Sequence, residues 1–439
     1  MRPGLSQEDS AVSEPVDPRR RIAVVGSGVA GLTAAWVLQK NARVTLYEAD
    51  DRLGGHADTH EVLAAGRTVP IDTGFIVHND RTYPTLLRLF GELGVSTQAT
   101  DMSMSVRCDG CGLEYAGGKK AGGLFPGMRM AARGRYLRML LEVKRFHRAA
   151  QQVLDSADDD TPDVTLGAFL ETGRFSPYFV NHFMTPLVSA VWSCNPDTAL
   201  QYPARYLFTF LDHHGMLSVS GSPAWRTVTG GSREYVSRVA AALSEVRTGC
   251  GVRTVHETEA GVEIRDDADG AETYDAVVIA THPAHALAML KEPSAAHGEV
   301  LGAISYTPNL ARLHTDESVL PTLPRARASW NYRIPACDAR PENVLVSYDM
   351  TRLQRLGSLD GRRYIVTLGG EDLLRKEAVI DQMEYEHPQY TPRSLAAQQR
   401  LPELNSGRVA FAGAYHGWGF HEDGAASGLR AAEHLGGVW

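Results

Sequence analysis

Apolar and polar positions alternate along this chain in several distinct rhythms. Arg21 to Val25 is a basic residue followed by an unbroken apolar run that stops at Gly26, which predicts a buried strand. From Val29 to Gln39 the spacing turns helical, with Leu32, Trp36 and Val37 or Leu38 on one stripe. Arg43 to Tyr47 is a second strand, so Arg21 to Tyr47 forms a βαβ unit of about thirty residues. Strand-like alternation returns over Val69 to Val77 and Met102 to Tyr115, the latter broken by the turn Cys108-Asp109-Gly110-Cys111-Gly112. Helical spacing then runs from about Arg135 to Leu154. After the acidic loop Asp155 to Asp163 comes a helix-rich stretch from Leu166 to about Phe210. Thr229-Gly230-Gly231 opens a helix over Glu234 to Leu243, and Tyr274 to Ala280 reads as a strand. The remainder is mixed until the strand Val409 to Ala412 and a final helix, and no fixed period repeats.

Composition narrows the class. At 439 residues and 43% hydrophobic content the chain can bury a large core, and two domains are expected. The net charge of −8 leaves no basic excess to neutralise phosphates, so no nucleic-acid partner is expected. The 5 cysteines, an odd number spread widely, argue for a reducing compartment rather than a disulfide framework. Cys108-x-x-Cys111 has no second pair at zinc spacing; it reads as a turn with incidental thiols, and no metal site is expected. Met1 to Pro18 lacks the apolar stretch of a secretory signal and reads as a disordered tail. No apolar run is long enough to span a bilayer. The expectation is a cytoplasmic protein, compatible with peripheral membrane contact, whose oligomeric state is left open. No G-x-S-x-G or H-E-x-x-H string points to hydrolysis.

Gly26-Ser27-Gly28-Val29-Ala30-Gly31 lies between the first strand and the first helix, and Glu48 follows the second strand, 22 residues after Gly26. Gly26 permits the tight turn, Gly28 lets backbone approach a pyrophosphate, and Gly31 lets the helix pack on the strand. The helix N-terminus, with unpaired N–H groups and the positive end of its dipole, faces the phosphates. Glu48 accepts hydrogen bonds from the adenosine ribose, and its carboxylate disfavours a 2′-phosphate there. Glycine-rich turns alone are common. Strand, helix, second strand and acid in register predict a dinucleotide site.

Glu48-Ala49 and then Asp51-Arg52-Leu53-Gly54-Gly55-His56 resemble the EAxxRxGGR stretch of the flavin amine oxidase and phytoene desaturase superfamily. The resemblance implies non-covalent FAD, with Arg52, Gly54 and Gly55 at its phosphates and ribityl chain. His56 replaces the usual second arginine. Phe411-Ala412-Gly413 and His421-Glu422-Asp423-Gly424-Ala425-Ala426-Ser427-Gly428 resemble the superfamily's second FAD motif. That likeness implies cofactor contacts at Gly413, Glu422, Asp423, Gly424, Ala425 and Ser427, with the last helix aimed at the flavin pyrimidine edge to stabilise the reduced form. Ala414 stands where the family often has an acid. Thr248 to Thr254 and Tyr274 to Thr281 match the superfamily layout between these ends, which implies Val252 or its neighbour at the adenine and Ala280 beside the FAD. The implied fold is α/β: a Rossmann-like FAD-binding domain of amine oxidase type (19–105, 221–290 and 405–439) with an inserted α+β substrate domain (106–220 and 291–404), behind a tail over 1–18.

Four longer strings carry a narrower resemblance: Asp72-Thr73-Gly74-Phe75-Ile76-Val77, Leu313-His314-Thr315-Asp316, Ala328-Ser329-Trp330-Asn331-Tyr332, and Gly417-Trp418-Gly419-Phe420 leading into His421. They are similar to a bacterial group of NAD/FAD-binding, amine oxidase-like proteins, and the chain looks like a mycobacterial member. Several of that group are encoded beside cyclopropane-fatty-acid-synthase-like methyltransferases. The resemblance implies an FAD-dependent oxidoreductase that dehydrogenates or desaturates an apolar, fatty acyl or lipid substrate by hydride transfer to flavin N5. Amine oxidases often carry a lysine near N5, whereas Leu301 to Leu313 has none, so amine oxidation with oxygen stands second. Behind these two stand a redox-neutral FAD-dependent isomerase and a non-enzymatic flavin-binding partner of a lipid methyltransferase. Acid–base work near neutrality points to histidines: His421, directly before the flavin-facing helix, then His214 and His314. Each also reads as a buried, hydrogen-bonded imidazole without a chemical role. Tyr415 and Trp418 are candidates for aromatics over the flavin. The apolar stripe from Phe175 to Phe210, with Phe183, Leu187, Val191 and Trp192, suits either core or an acyl-chain cap.

Overall fold

The computed structural model describes residues 20–118, 120–156, 164–218, 221–357 and 361–439. The expected tail, and most of the Asp155–Asp163 loop, lie outside the described residues. Arg21–Val25 is the central strand of a five-stranded parallel sheet, between Arg43–Tyr47 and Ala276–Ile279, with Glu245–Arg247 and Val409–Phe411 at the edges. Val25 pairs with Tyr47 and Ile279, and Ile279 with Phe411, so the strands end along one carboxyl edge. Turns leaving that edge create the crevice in which ligands of such sheets sit. The helix Val29–Leu38 is buried on nearly every side rather than along one stripe, with only Trp36 partly exposed, because the sheet, Arg233–Ala242 and the C-terminal helix His421–His434 surround it. The two helices touch at backbone distance: a Cβ on Gly428 would lie 2.1 Å from Ala30 O.

The other large unit is a seven-stranded sheet in the order Val379–Pro388, Tyr306–His314, Ile365–Leu368, Val346–Asp349, Trp330–Ile334, Met104–Cys108, Leu113–Gly117. Its pairs are antiparallel except Trp330–Ile334 with Met104–Cys108. The boundary expected at 105/106 therefore falls inside a strand of this sheet. Helices between Gly134 and His213 pack with it into the largest apolar cluster. Five of the seven strands come from the region beyond residue 300 that reads as mixed. Buried polar side chains break their alternation: His314 Nε2 meets Thr367 Oγ1 at 2.7 Å, Ser347 Oγ meets the same oxygen at 2.8 Å, and Ser105 donates to Asn331 at 2.8 Å. These polar groups satisfy one another inside the sheet, so they can be buried there without an apolar pattern.

Candidate active site

A cavity of about 930 Å³ opens at the carboxyl edge of the parallel sheet and continues to the seven-stranded sheet. One end is built from backbone. Gly26 turns the chain with φ +98, and a Cβ on Gly31 would stand 1.9 Å from Gly26 O, so the helix can approach its own turn only without a side chain. Gly28, by contrast, would meet nothing within 4 Å. It starts the helix without any side-chain cap, leaving first-turn N–H groups free beside the cavity. Ser27, Val29 and Ala30 complete this part of the wall.

Glu48 is fixed by that turn: Oε2 accepts from Ser27 N at 2.8 Å and from the Ser27 hydroxyl, and Oε1 accepts from Asp50 N at 3.0 Å. Cys250 N donates to Glu48 O at 2.8 Å, which brings Cys250, Gly251, Val252 and Arg253 to the cavity opposite Ala49. The second glycine pair folds back onto the first. Gly54 N donates to Ser27 Oγ at 3.0 Å, and a Cβ on Gly55 would lie 3.3 Å from Gly28 Cα. Gly55, His56 and Ala280 line the cavity. Arg52 and Gly54 do not: Arg52 donates to Gly55 O at 2.9 Å and pairs with Asp58 at 3.3 Å, outside the wall.

At the C-terminal motif the structure gives several of the expected contact residues protein partners away from the cavity wall. Gly413 lines the cavity, but Glu422, Asp423, Gly424, Ala425 and Ser427 do not. Glu422 instead accepts from Thr85 N and Leu86 N at 2.9 and 3.0 Å, capping the neighbouring helix Pro84–Leu93. Asp423 accepts from Phe420 N at 2.9 Å and holds the preceding loop; burial pushes its carboxyl up to about 7. Ser427 Oγ accepts from Gly413 N at 2.9 Å and so pins the turn that does reach the cavity. Gly31 and Gly424 serve packing, where the first helix meets its own turn and the last helix. Tyr415 lines the cavity, while Trp418 stands behind it against Tyr206 and Phe210.

The three candidate histidines part ways. His421 lines the cavity, stacks on Phe75 with centroids 3.6 Å apart, and meets the Tyr235 hydroxyl through Nε2 at 3.0 Å. Burial lowers it to about 3, so it is neutral at physiological pH. His214 also lines the cavity, yet both ring nitrogens are taken, Nδ1 by Phe210 O at 2.9 Å and Nε2 by Thr82 Oγ1 at 3.2 Å. Burial lowers it to about 4. His314 is not part of the wall; it lies within the seven-stranded sheet, bonded to Thr367 and accepting from Asp316 N at 3.0 Å. A strand register that turns its ring into the sheet is not visible from residue type.

Sequence reasoning missed a polar wall of the same cavity. His282 Nδ1 meets Glu386 Oε2 at 2.8 Å and its ring stacks on Tyr306 at 4.2 Å. His387 and Tyr385 flank His56 at 5.3 and 5.1 Å, and burial holds His56 and His387 below the ordinary imidazole range. Tyr385 and His387 are two apart on one strand, a spacing that marks a shared face. The remaining wall is apolar, with Ile76, Val191, Trp192, Met216, Leu368 and Phe420. Also missed was the company of the Cys108-x-x-Cys111 turn: His182 and Cys337, 71 residues beyond Cys111 and 229 beyond Cys108, come to the same place.

The wall suits FAD. An uncapped helix N-terminus faces open space at Gly28, an acid is held in register beside it, and Tyr415 Oη and Trp330 Nε1 are buried on the wall without a protein partner. The described helices include none long and apolar enough to cross a membrane. The profile of the family "Flavin containing amine oxidoreductase" matches residues 29–356. L-amino-acid oxidase from Bungarus fasciatus is 38% identical over 73 residues, a stretch that covers 16% of this chain and 14% of that protein. Cyclohexylamine oxidase from Brevibacterium oxydans IH-35A superposes with a TM-score of 0.68 at 17% identity, covering 95% of this chain and 99% of that one. A CLA-producing fatty acid isomerase from P. acnes superposes with a TM-score of 0.66 at 15% identity, covering 96% and 100%. At these identities the likeness to solved structures is one of fold. With three quarters of its length under the family profile, the chain belongs to the flavin containing amine oxidoreductases and is an FAD-dependent oxidoreductase.

Proposed function

We propose that the substrate is an acyl chain, which the enzyme dehydrogenates by removing a hydride from one carbon and a proton from its neighbour. The observation that carries this reading is the makeup of the cavity. Its carboxylates are Glu48 and Asp50 at the ribose end and Glu386, already paired with His282, and no lysine is on the described wall. A cationic amine would find no unpaired carboxylate beside the apolar half, whereas a hydrocarbon chain gains from burial against it at about 25 cal/mol per Å². Bound FAD supplies the two-electron acceptor. The chain's own residues hold it, exclude water with Trp192 and Phe420, and offer the His282–Glu386 pair as the proton acceptor. Because this fold serves both an amine oxidase and a fatty acid isomerase, the reaction has to be read from the wall.

Anaerobic titration of the holoenzyme tests it. A phospholipid with a methylated or unsaturated acyl chain is expected to bleach the flavin stoichiometrically, while cyclohexylamine and putrescine leave it oxidised. Bleaching by amines alone overturns the acyl reading. Conversion of the lipid without net bleaching makes the enzyme an isomerase.

A surface feature supports access to such a substrate from a membrane. Met128, Leu137 and Leu141 are exposed at 93%, 40% and 68%, next to Arg129, Arg135, Arg138 and Lys144. Glu142, the one carboxylate between residues 121 and 150, is turned inward onto Ser176. These residues belong to two successive helices, Met128–Ala131 and Gly134–Asp155, and basic, apolar-tipped segments of this kind bind anionic bilayer surfaces. Co-sedimentation with phosphatidylglycerol vesicles is expected for the wild type and lost in Leu141→Glu; equal sedimentation of the two excludes this surface.

A further inference from the structure

Cys108 ends a strand of the seven-stranded sheet, Cys111 lies in the hairpin turn that follows, His182 sits in a π-helical turn, and Cys337 follows the strand Trp330–Ile334. Three sulfurs and one imidazole nitrogen from these separate segments lie within 4.8 Å of one another. Cys108 Sγ and Cys337 Sγ are 3.8 Å apart, and Cys111 Sγ and His182 Nε2 are 3.7 Å apart. Ligands about 2.3 Å (sulfur) or about 2.0–2.1 Å (nitrogen) from a tetrahedral zinc stand roughly 3.5–3.8 Å apart along its edges. The Cys108–Cys337 and Cys111–His182 spacings match such edges, and all four donors fall within 4.8 Å of one another.

The surroundings are prepared in the same sense. His182 is 1% exposed, and its Nδ1 donates to Tyr178 O at 3.0 Å, which leaves the lone pair of Nε2 pointing at Cys111. Gly112 N donates to Cys108 O at 2.8 Å and closes the turn that carries Cys108 and Cys111. Asn181 donates to Cys337 O at 2.9 Å and fixes the third sulfur's segment against the π-helical turn. None of the four ligands lines the cavity.

We propose that Cys108, Cys111, His182 and Cys337 form a structural zinc site of Cys3His type. Four protein donors leave no open position, so the ion has no chemical role. Its mechanical role follows from the chain: His182 is followed at once by the helix Thr185–Trp192, whose last turn supplies Ala190, Val191 and Trp192 to the cavity. The metal ties that helix to the hairpin and to the loop after Trp330–Ile334.

Protein made in zinc-supplemented medium and purified under reducing conditions is expected to hold close to one zinc per chain by elemental mass spectrometry. Replacing zinc with cobalt(II) is expected to give intense tetrahedral bands to the red of the flavin absorption. His182→Ala is expected to lose the metal and melt earlier, whereas His182→Cys retains it. Wild-type protein that binds neither zinc nor cobalt under these conditions overturns the proposal, whether or not the variants fold. So does a Cys108–Cys337 disulfide found by mass analysis of the protein prepared without reductant and with excess zinc.

Discussion

The two ends of the cavity are made of different material. At the end beside the parallel sheet, nearby residues present backbone: a glycine turn, a helix N-terminus and one carboxylate bonded to the turn at Ser27. At the far end, side chains from at least five separate segments converge, among them Val77, Trp192, Met216, Leu368 and Phe420. Backbone cannot be exchanged for anything else, so the first end tolerates no added atom where the turn and helix meet. Side chains of similar volume can replace one another, so the second end is free to change its ligand while the first keeps its cofactor.

The harshest way to probe that contrast is Gly31→Val. Its Cβ would overlap Gly26 O at 1.9 Å, with the Ala280 Cβ at 3.3 Å, and neither atom can swing away. We expect a loss of FAD affinity on the order of a hundredfold or more together with a lower melting temperature. Gly28→Ala is the companion, since its Cβ meets no protein atom within 4 Å. The apoprotein is expected to melt like the wild type while FAD binding weakens, measured by flavin fluorescence. A Gly28→Ala protein that binds FAD normally would remove the phosphates from that spot. At the other end, Ala190→Trp fills the apolar half. It is expected to leave the flavin bound and to abolish bleaching by lipid; retained bleaching would move the acyl chain elsewhere.

Glu422→Ala separates the two ends on a milder scale. Its carboxylate caps Pro84–Leu93 through Thr85 N and Leu86 N, so removing it should cost about 1 kcal/mol of stability with FAD affinity intact. If the flavin is lost instead, the resemblance to the second FAD motif was the better guide to this residue.

The same division explains what could be read in advance. The glycine turn and its helix were legible because strand, glycines, helix and acid follow one another within one short stretch, and each has a backbone reason to be there. Val252, expected from the resemblance alone, and Ala280, at the end of a recognisable strand, both lie on the cavity wall. The partners of Glu422 were not legible, because its side chain turns to Thr85 and Leu86 of a helix distant in sequence. The His282–Glu386 pair and the Cys3His cluster bring together segments 71 to 229 positions apart, and no periodicity registers such a meeting. The seven-stranded sheet was obscured by its own internal polar contacts at His314, Thr367 and Ser347.

A last contrast concerns pH. His214 and His387, on the side-chain-built walls, are lowered by burial to about 4, and His421 to about 3. In the unfolded chain such imidazoles titrate near about 6.5. As pH falls from there the unfolded state takes up protons that the folded state refuses, so stability decreases, each full proton contributing about 1.4 kcal/mol per pH unit. Asp423 and Asp72, raised by burial to about 7 and about 6, act in the opposite sense, because the folded state keeps protons that the unfolded chain has released. Their contribution declines as pH rises through that same window and partly cancels the histidine slope. His214→Gln can keep one donor and one acceptor, and should flatten the fall in melting temperature between about pH 6.5 and about pH 4.5. Asp423→Asn should steepen it. Parallel melting curves for all three proteins would mean that these buried groups titrate alike in both states, and that the side-chain end is wetter than its packing requires.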